Sequence, residues 1–410
     1  MKWKLFKDRL AQVFKRRKKI RKKKYKFFLC LDIGTEAVKI LILGLSSLDK
    51  KITVFGNGME YLDGYKLFGR RSFESERIKK TISQAIKNAH SNVPLFLMEK
   101  NLKKRIQEQK EWPVLLGLPP DVLRARIVSC SFLRKNPKTK ILEKEEALIN
   151  RQISETAKKE ISQAFSKESG ILASDIHWVY SKISQIKIDG YPVSSFRGYQ
   201  GRELEFKVLA TFLPRYYWES IQGVIDSLGF KIFKTVHLAQ GILPLCKERN
   251  GLFLDVGGKI TQLFKIKNCK IDRIDEFEGG GDMFVQNLSR TLGLDKETAR
   301  NFSEKYSRKK LSPEVQERIK AILSEEKIIW HNNLKAKLKK MSFKDPSLVF
   351  LSGGGSCFPE IQEALLEKKE SFGNSKIKYI RLRDLEDIND ATKKLSHPQY
   401  ISSLLLTLTL

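Results

Sequence analysis

Cysteine is sparse in this sequence. The five present, Cys30, Cys130, Cys246, Cys269 and Cys357, are scattered, odd in number and without a Cys-x-x-Cys pair, so neither a disulfide framework nor a zinc site is expected. Long apolar runs are missing as well. The run that begins at Phe27 is broken by Asp32, Glu36 and Lys39 before it reaches the roughly 18 residues of a membrane span, and no signal peptide is legible, so the chain is expected in the cytoplasm. Acidic residues are few: 47 Asp and Glu face 78 Lys and Arg, a formal net charge of +31, which predicts an acidic neighbour.

What is present suits a soluble globular protein, with 41% hydrophobic and 30% charged residues. At 410 residues the chain exceeds one ordinary core and predicts two or more lobes. The charge is concentrated in residues 1–26, which carry fourteen lysines and arginines against one aspartate. There Trp3, Phe6, Leu10 and Val13 recur at spacings of three and four, widened by Phe14, as in a short basic amphipathic helix. Lys15, Arg16, Arg17, Lys18 and Lys19 open a nearly pure cationic run behind it. An apolar helix plus a polybasic segment is the two-signal arrangement that holds a protein on anionic lipid, so a peripheral location on the inner face of the cell membrane is expected. A solubilising tail is the plainer alternative. A nucleic-acid arm would be equally basic, but stacking on single-stranded bases needs aromatics interleaved with the charges, and no nucleic acid is expected as a partner.

From residue 27 the pattern is that of a folded α/β chain. "FFLCLDIGTEAVKILIL" sets two strand-length apolar runs on either side of Asp32-Ile33-Gly34-Thr35. A bare hairpin would take Asn-Gly or Asp-Gly at its turn. Here the carboxylate ends the first strand and Gly34-Thr35 make the turn, a layout in which backbone N–H groups converge on a phosphate and the aspartate holds a hydrated Mg2+. "GLFLDVGGKITQLF", from Gly251, repeats the device with Asp255, Gly257 and Gly258. "SLVFLSGGGSCFPEI" then sets Gly353-Gly354-Gly355 between a strand and a helix, where backbone can approach a phosphate or sugar. Three such elements in this order predict a nucleotide cleft. Elsewhere the periodicities predict a helix from Ser75 to His90 with Ile78, Ile82, Ala85, Ile86 and Ala89 inward, a small subdomain of one helix and paired strands, and a basic, largely helical stretch over 282–344.

"LDIGTEAVKI", "LDVGGKITQL" and "VFLSGGGSCFPEI" resemble the two phosphate motifs and the adenosine motif of the actin-like ATPase superfamily. Within it the chain is most similar to the bacterial cell-division family FtsA and, next, to the pilus-assembly family PilM, over roughly residues 27–410. The resemblance implies an α/β, actin-like (ribonuclease H-like) two-lobed fold with an inserted small α+β subdomain of FtsA/PilM type. After the tail, 1–26, the first lobe would take 27–123 and 213–236, and the insert 124–212. The second lobe would take 237–281 and 345–410, with 282–344 as its helical subdomain. ATP and Mg2+ are the implied cofactors. Asp32 and Asp255 would hold the ion through water, Gly34, Thr35, Gly257 and Gly258 would present N–H or hydroxyl groups to phosphates, and Gly353, Gly354 and Gly355 would line the nucleoside side.

Two departures qualify that pattern. Where the family continues Gly-Gly-Gly-Thr, this chain has Gly257-Gly258-Lys259-Ile260, so Lys259 is offered as a phosphate cation; where it has Ala-Glu-x-x-Lys, this chain reads Ala299-Arg300-Asn301-Phe302-Ser303. No water-orienting residue is legible, His237 reads as a packed or surface histidine, and ATPase turnover is expected to be weak or absent. The linker and C-terminal amphipathic helix usual in FtsA do not follow the conserved domain, so the anchor is expected at residues 1–20. The implied function is a membrane-associated scaffold of bacterial cell division that self-associates and recruits a tubulin-like filament protein, with an acidic peptide tail docking on 282–344. A PilM-like adaptor of type IV pilus assembly is the alternative. A sugar or metabolite kinase of the same superfamily would need a catalytic aspartate, for which Asp121 and Asp189 are the candidates.

Overall fold

The computed structural model describes residues 25–62, 74–94, 112–245, 250–343, 348–367 and 375–410. The amphipathic tail, with Trp3 through Lys19, lies outside the described residues.

Strands β1 (Tyr25–Ile33) and β2 (Ala37–Ser46) form an antiparallel hairpin, and β3 (Ile52–Tyr61) returns beside β2. Helix α1 (Ser75–Ser91) packs on them through Ile78, Ile82, Ala85 and Ala89. It lies close because β3 carries Gly58, where an added Cβ would sit 2.0 Å from the Ala85 carbonyl oxygen. The glycines of "FGNGMEY" are thus a packing requirement of the helix that follows. β4 (Pro113–Gly117) then lies parallel to β1.

The chain next leaves the lobe as a four-stranded antiparallel sheet in which β5 (Arg124–Leu133) is followed by α2 (Glu143–Ser169), β6 (Ile176–Ile188), β7 (Tyr191–Val193) and β8 (Glu203–Pro214), ordered β5-β8-β6-β7. Ile149, Ile153, Ala157, Ile161 and Phe165 bury one stripe of α2 on this sheet. The insert also leans on the second lobe: Lys207 pairs with Asp272 and Arg124 with Glu276, while Ala125 and Leu209 share a core with Ile271.

α3 (Arg215–Ser227) leads to β9 (Lys231–Val236), parallel to β4, and α4 (Leu238–Gly241) leads into the second lobe. There β10 (Asn250–Val256), β11 (Ile260–Lys267) and β12 (Lys270–Glu278) form an antiparallel meander. Four helices follow, α5 (Gly281–Leu292), α6 (Lys296–Ser307), α7 (Pro313–Ile322) and α8 (Ser324–Lys340). Asp295 and Ser312 cap α6 and α7 by accepting from the Thr298 and Val315 amides. β13 (Leu348–Ser352), α9 (Pro359–Glu367) and β14 (Lys376–Tyr379) complete the lobe.

The two large sheets have one topology. β3-β2-β1-β4-β9 and β12-β11-β10-β13-β14 share both order and strand sense, antiparallel on one side of the first strand and parallel on the other. One boundary differs from expectation. β15 (Ile388–Asp390) pairs with β3 of the first sheet, and α10 (Ile401–Thr407) packs against β1, β4 and α4, so the end of the 345–410 segment does not stay with the second lobe. Leu395, Ile401, Leu404 and Leu405 are buried in one core with Cys30, Leu41 and Leu115, which is why the chain crosses back.

Candidate functional site

Shared topology makes the two Asp-x-Gly hairpins structural equivalents. Gly34 donates its amide to the Ala37 carbonyl at 2.9 Å, and Gly257 donates to Ile260 at 3.0 Å. Asp32 ends β1 beside Gly117 of β4, and Asp255 ends β10 beside Ser352 of β13. Because the lobes face each other, both carboxylates open on one cleft. Asp32, Gly34, Thr35, Asp255, Gly257, Gly258, Gly353, Gly354 and Gly355 all line it, so the structure brings together every predicted phosphate and nucleoside residue but Lys259. The cavity is about 220 Å³.

Adjacent serines of α10 hold the two acids: Ser403 Oγ donates to Asp32 Oδ2 at 2.6 Å, and Ser402 Oγ donates to Asp255 Oδ1 at 2.7 Å. Ser352 Oγ gives Asp255 a second donor at 2.7 Å. Burial pushes the Asp255 carboxyl above its ordinary range, and these hydroxyls oppose the shift. Gly353 sits at φ +90°, and a Cβ there would lie 2.3 Å from the Val256 carbonyl oxygen, so only glycine lets this loop close on the second hairpin.

Lys259 does not face the cleft. Its ammonium lies 3.2 Å from Glu36 Oε1 of the other hairpin, and its amide donates to Thr35 Oγ1 at 3.0 Å. Among the described residues Lys39, Arg300 and Arg308 are cations that line the cleft, and Lys39 lies 3.8 Å from Asp32. It was legible in principle, because it stands directly opposite Asp32 in the β1–β2 register. Arg300, the departure in α6, lies 3.8 Å over the ring of Tyr61, whose hydroxyl donates to Glu304 at 2.9 Å. Burial and the neighbouring Glu304 charge raise the Tyr61 phenol, keeping it a neutral donor.

His237 lines the cleft but is engaged as a helix cap, its Nδ1 accepting from the Ala239 amide at 3.0 Å and its Nε2 lying 3.3 Å from Gln262 Nε2. Burial, aided by Arg126 and Arg124, lowers it to about 3, which makes it a poor base at neutral pH. Neither kinase candidate lines the cleft. Asp121 lies in an exposed turn, and Asp189, at φ +46°, accepts the amides of Arg202 and Glu203 to shape a loop of the insert. Among the described residues no group of three or more His, Cys, Asp or Glu side chains could cage a metal, so a Mg2+ at Asp32 and Asp255 would need water and phosphate for its remaining ligands. Two cleft-facing carboxylates, a nearby lysine and glycine-lined walls fit such a group.

No protein-family model and no curated protein matches the sequence. Solved structures do. A chain of a PilM–PilN type IV pilus biogenesis complex is similar at a TM-score of 0.63 and 14% identity, covering 93% of this chain and 98% of that one. The ethanolamine utilization protein EutJ from Carboxydothermus hydrogenoformans matches at 0.47 and 10% identity, covering 93% and 89%. MreB 5 of Spiroplasma citri bound to AMPPNP matches at 0.43 and 11%, covering 94% and 95%. With the duplicated sheet topology, the first of these likenesses establishes that the chain has the two-lobed actin-like ATPase fold, with a small α+β subdomain inserted in its first lobe.

Proposed function

We propose that the protein is an actin-like, ATP-binding scaffold of a membrane-attached assembly, anchored through residues 1–20 and working through contacts with its own copies and a partner peptide. The observation that carries the nucleotide reading is the convergence of Asp32 and Asp255, from equivalent strand ends of the two lobes, on one glycine-lined cleft. Bound Mg2+ would neutralise phosphate charge there. Ser402 and Ser403 would keep the two carboxylates oriented toward it, Lys39 would add a cation, and Gly353 to Gly355 would let backbone approach the nucleoside. With His237 engaged and at about 3, the reading is of binding rather than rapid turnover. Calorimetry with MgATP on the wild type and Asp32→Ala tests it: at least tenfold weaker binding by the variant supports the reading, and no binding by the wild type sinks it.

Two machines suit such a scaffold. The motif resemblance favours the cell-division role, recruitment of a tubulin-like filament protein to the membrane. The likeness to the PilM–PilN pilus complex, over 98% of that chain, supports a type IV pilus adaptor equally well. Parallel pull-downs separate them: capture of the tail of a tubulin-like division protein supports the first, and capture of the cytoplasmic tail of a pilus membrane protein supports the second.

A further inference from the structure

Glu36 follows directly on the first phosphate hairpin, yet its carboxylate does not point to solvent. It crosses to the second lobe and meets three cations there: Lys296 Nζ at 2.8 Å, Lys259 Nζ at 3.2 Å and Arg300 at 3.8 Å. Its side chain is only 14% exposed. The cations come from two elements that fold together, the tip of the second hairpin and the first turns of α6, where Lys296 and Arg300 are four residues apart and share a face. Asp282 of α5 holds Lys296 from the far side at 2.8 Å. The second hairpin makes room for the crossing, since a Cβ at Gly258 would lie 2.3 Å from Glu36 Cγ and 2.9 Å from Thr35 Oγ1. Tyr61 reinforces it from the first lobe by stacking under Arg300.

We propose that Lys259, Lys296 and Arg300 form a seat for one anionic group, which Glu36 fills when no ligand is bound, so that the protein's own carboxylate latches the lobes and an incoming phosphate group must displace it. The local charge supports this. Lys259, Lys296 and Arg300 all face Glu36, and Asp282 faces Lys296, so withdrawing Glu36 raises the positive charge of this partly buried site by one and favours an anion in its place. Burial raises the Glu36 carboxyl, as expected of a group whose partners must compensate its desolvation. The identity of the phosphate-bearing ligand rests on the nucleotide reading above; the seat and the latch do not.

The test is amide hydrogen exchange on the full ligand-free chain, wild type and Glu36→Gln, read at residues 33–38 and 257–262. Exchange there should be at least tenfold faster in the variant, with α2 of the insert unchanged as a control for folding. Inorganic triphosphate, titrated by calorimetry, should bind at least fivefold more tightly to the variant. Unchanged hairpin exchange, or equal or weaker triphosphate binding, overturns the proposal. If Glu36→Gln does not fold, Glu36→Asp, which withdraws the carboxylate by one methylene, is measured the same way with the same expected direction. Failure of both the wild type and Glu36→Gln to bind MgATP, while the variant meets both expectations, would remove the nucleotide reading and leave the latch standing.

Discussion

The Lys259 amide donates to the Thr35 hydroxyl at 3.0 Å, joining the tips of two hairpins 224 residues apart. Thr35→Val keeps the shape and removes the acceptor, leaving the Lys259 N–H without this partner. The expected loss is about 0.5–1.5 kcal/mol of stability, the net value of one half-buried hydrogen bond. Urea unfolding measures it, and a variant as stable as the wild type would show that the tip contact contributes nothing.

Gly353 is predicted to be intolerant of any side chain. Gly353→Ala combines φ +90° with a 2.3 Å approach to the Val256 carbonyl, so a loss of at least ~1–3 kcal/mol is expected. Gly354→Ala, whose Cβ would meet only Gln399 Cβ at an ordinary 3.6 Å, should cost far less. Comparing the thermal midpoints of the two variants isolates the strained position from its neighbour.

His237 makes stability fall in mild acid. Its folded value of about 3 lies below the ordinary 6.5, so the unfolded chain binds the proton first. This contribution is whole above pH 6.5 and is lost as pH falls toward 3, by up to about 1.4 kcal/mol per unit. His237→Asn retains a side-chain acceptor for the Ala239 amide and cannot titrate. Between pH 7 and pH 5 the wild type should lose about 2 kcal/mol more than the variant in urea unfolding, and parallel curves would show that His237 is not the group responsible.

The basic tail should govern lipid attachment. Reversing the charge of Lys15, Arg16, Arg17, Lys18 and Lys19 to glutamate is expected to release the protein from vesicles rich in anionic lipid, with neutral vesicles as the reference. Sedimentation with vesicles reads this directly, and unchanged binding by the variant would remove the tail as anchor.

Much of this architecture is local and therefore legible. Two strand-length apolar runs around Asp-x-Gly specify a hairpin by hydrophobic pattern and turn chemistry alone, and the device at Asp32 and again at Asp255 points to duplicated lobes. α1 was readable for the same reason, since Ile78, Ile82, Ala85 and Ala89 keep helical spacing. Periodicity reports the one face that α1 buries, while an unbroken apolar run marks strands such as β1 and β10, which are buried on both faces.

Tertiary structure decided the rest, where function depends on partners far apart in the chain. β15 has three residues, too few for any period, and joins the first sheet only because β3 offers an edge. The serines that hold Asp32 and Asp255 lie 371 and 147 residues from their partners. Glu36 reads locally as a polar residue after a turn, and its meeting with Lys296, 260 residues on, exists only once the lobes close. Sequence by itself determined the strands, the hairpins and the two acids, because backbone propensity and hydrophobic pattern act over a few residues. Which charges face each other across the cleft was settled by packing two lobes and a returning C-terminal helix around one core.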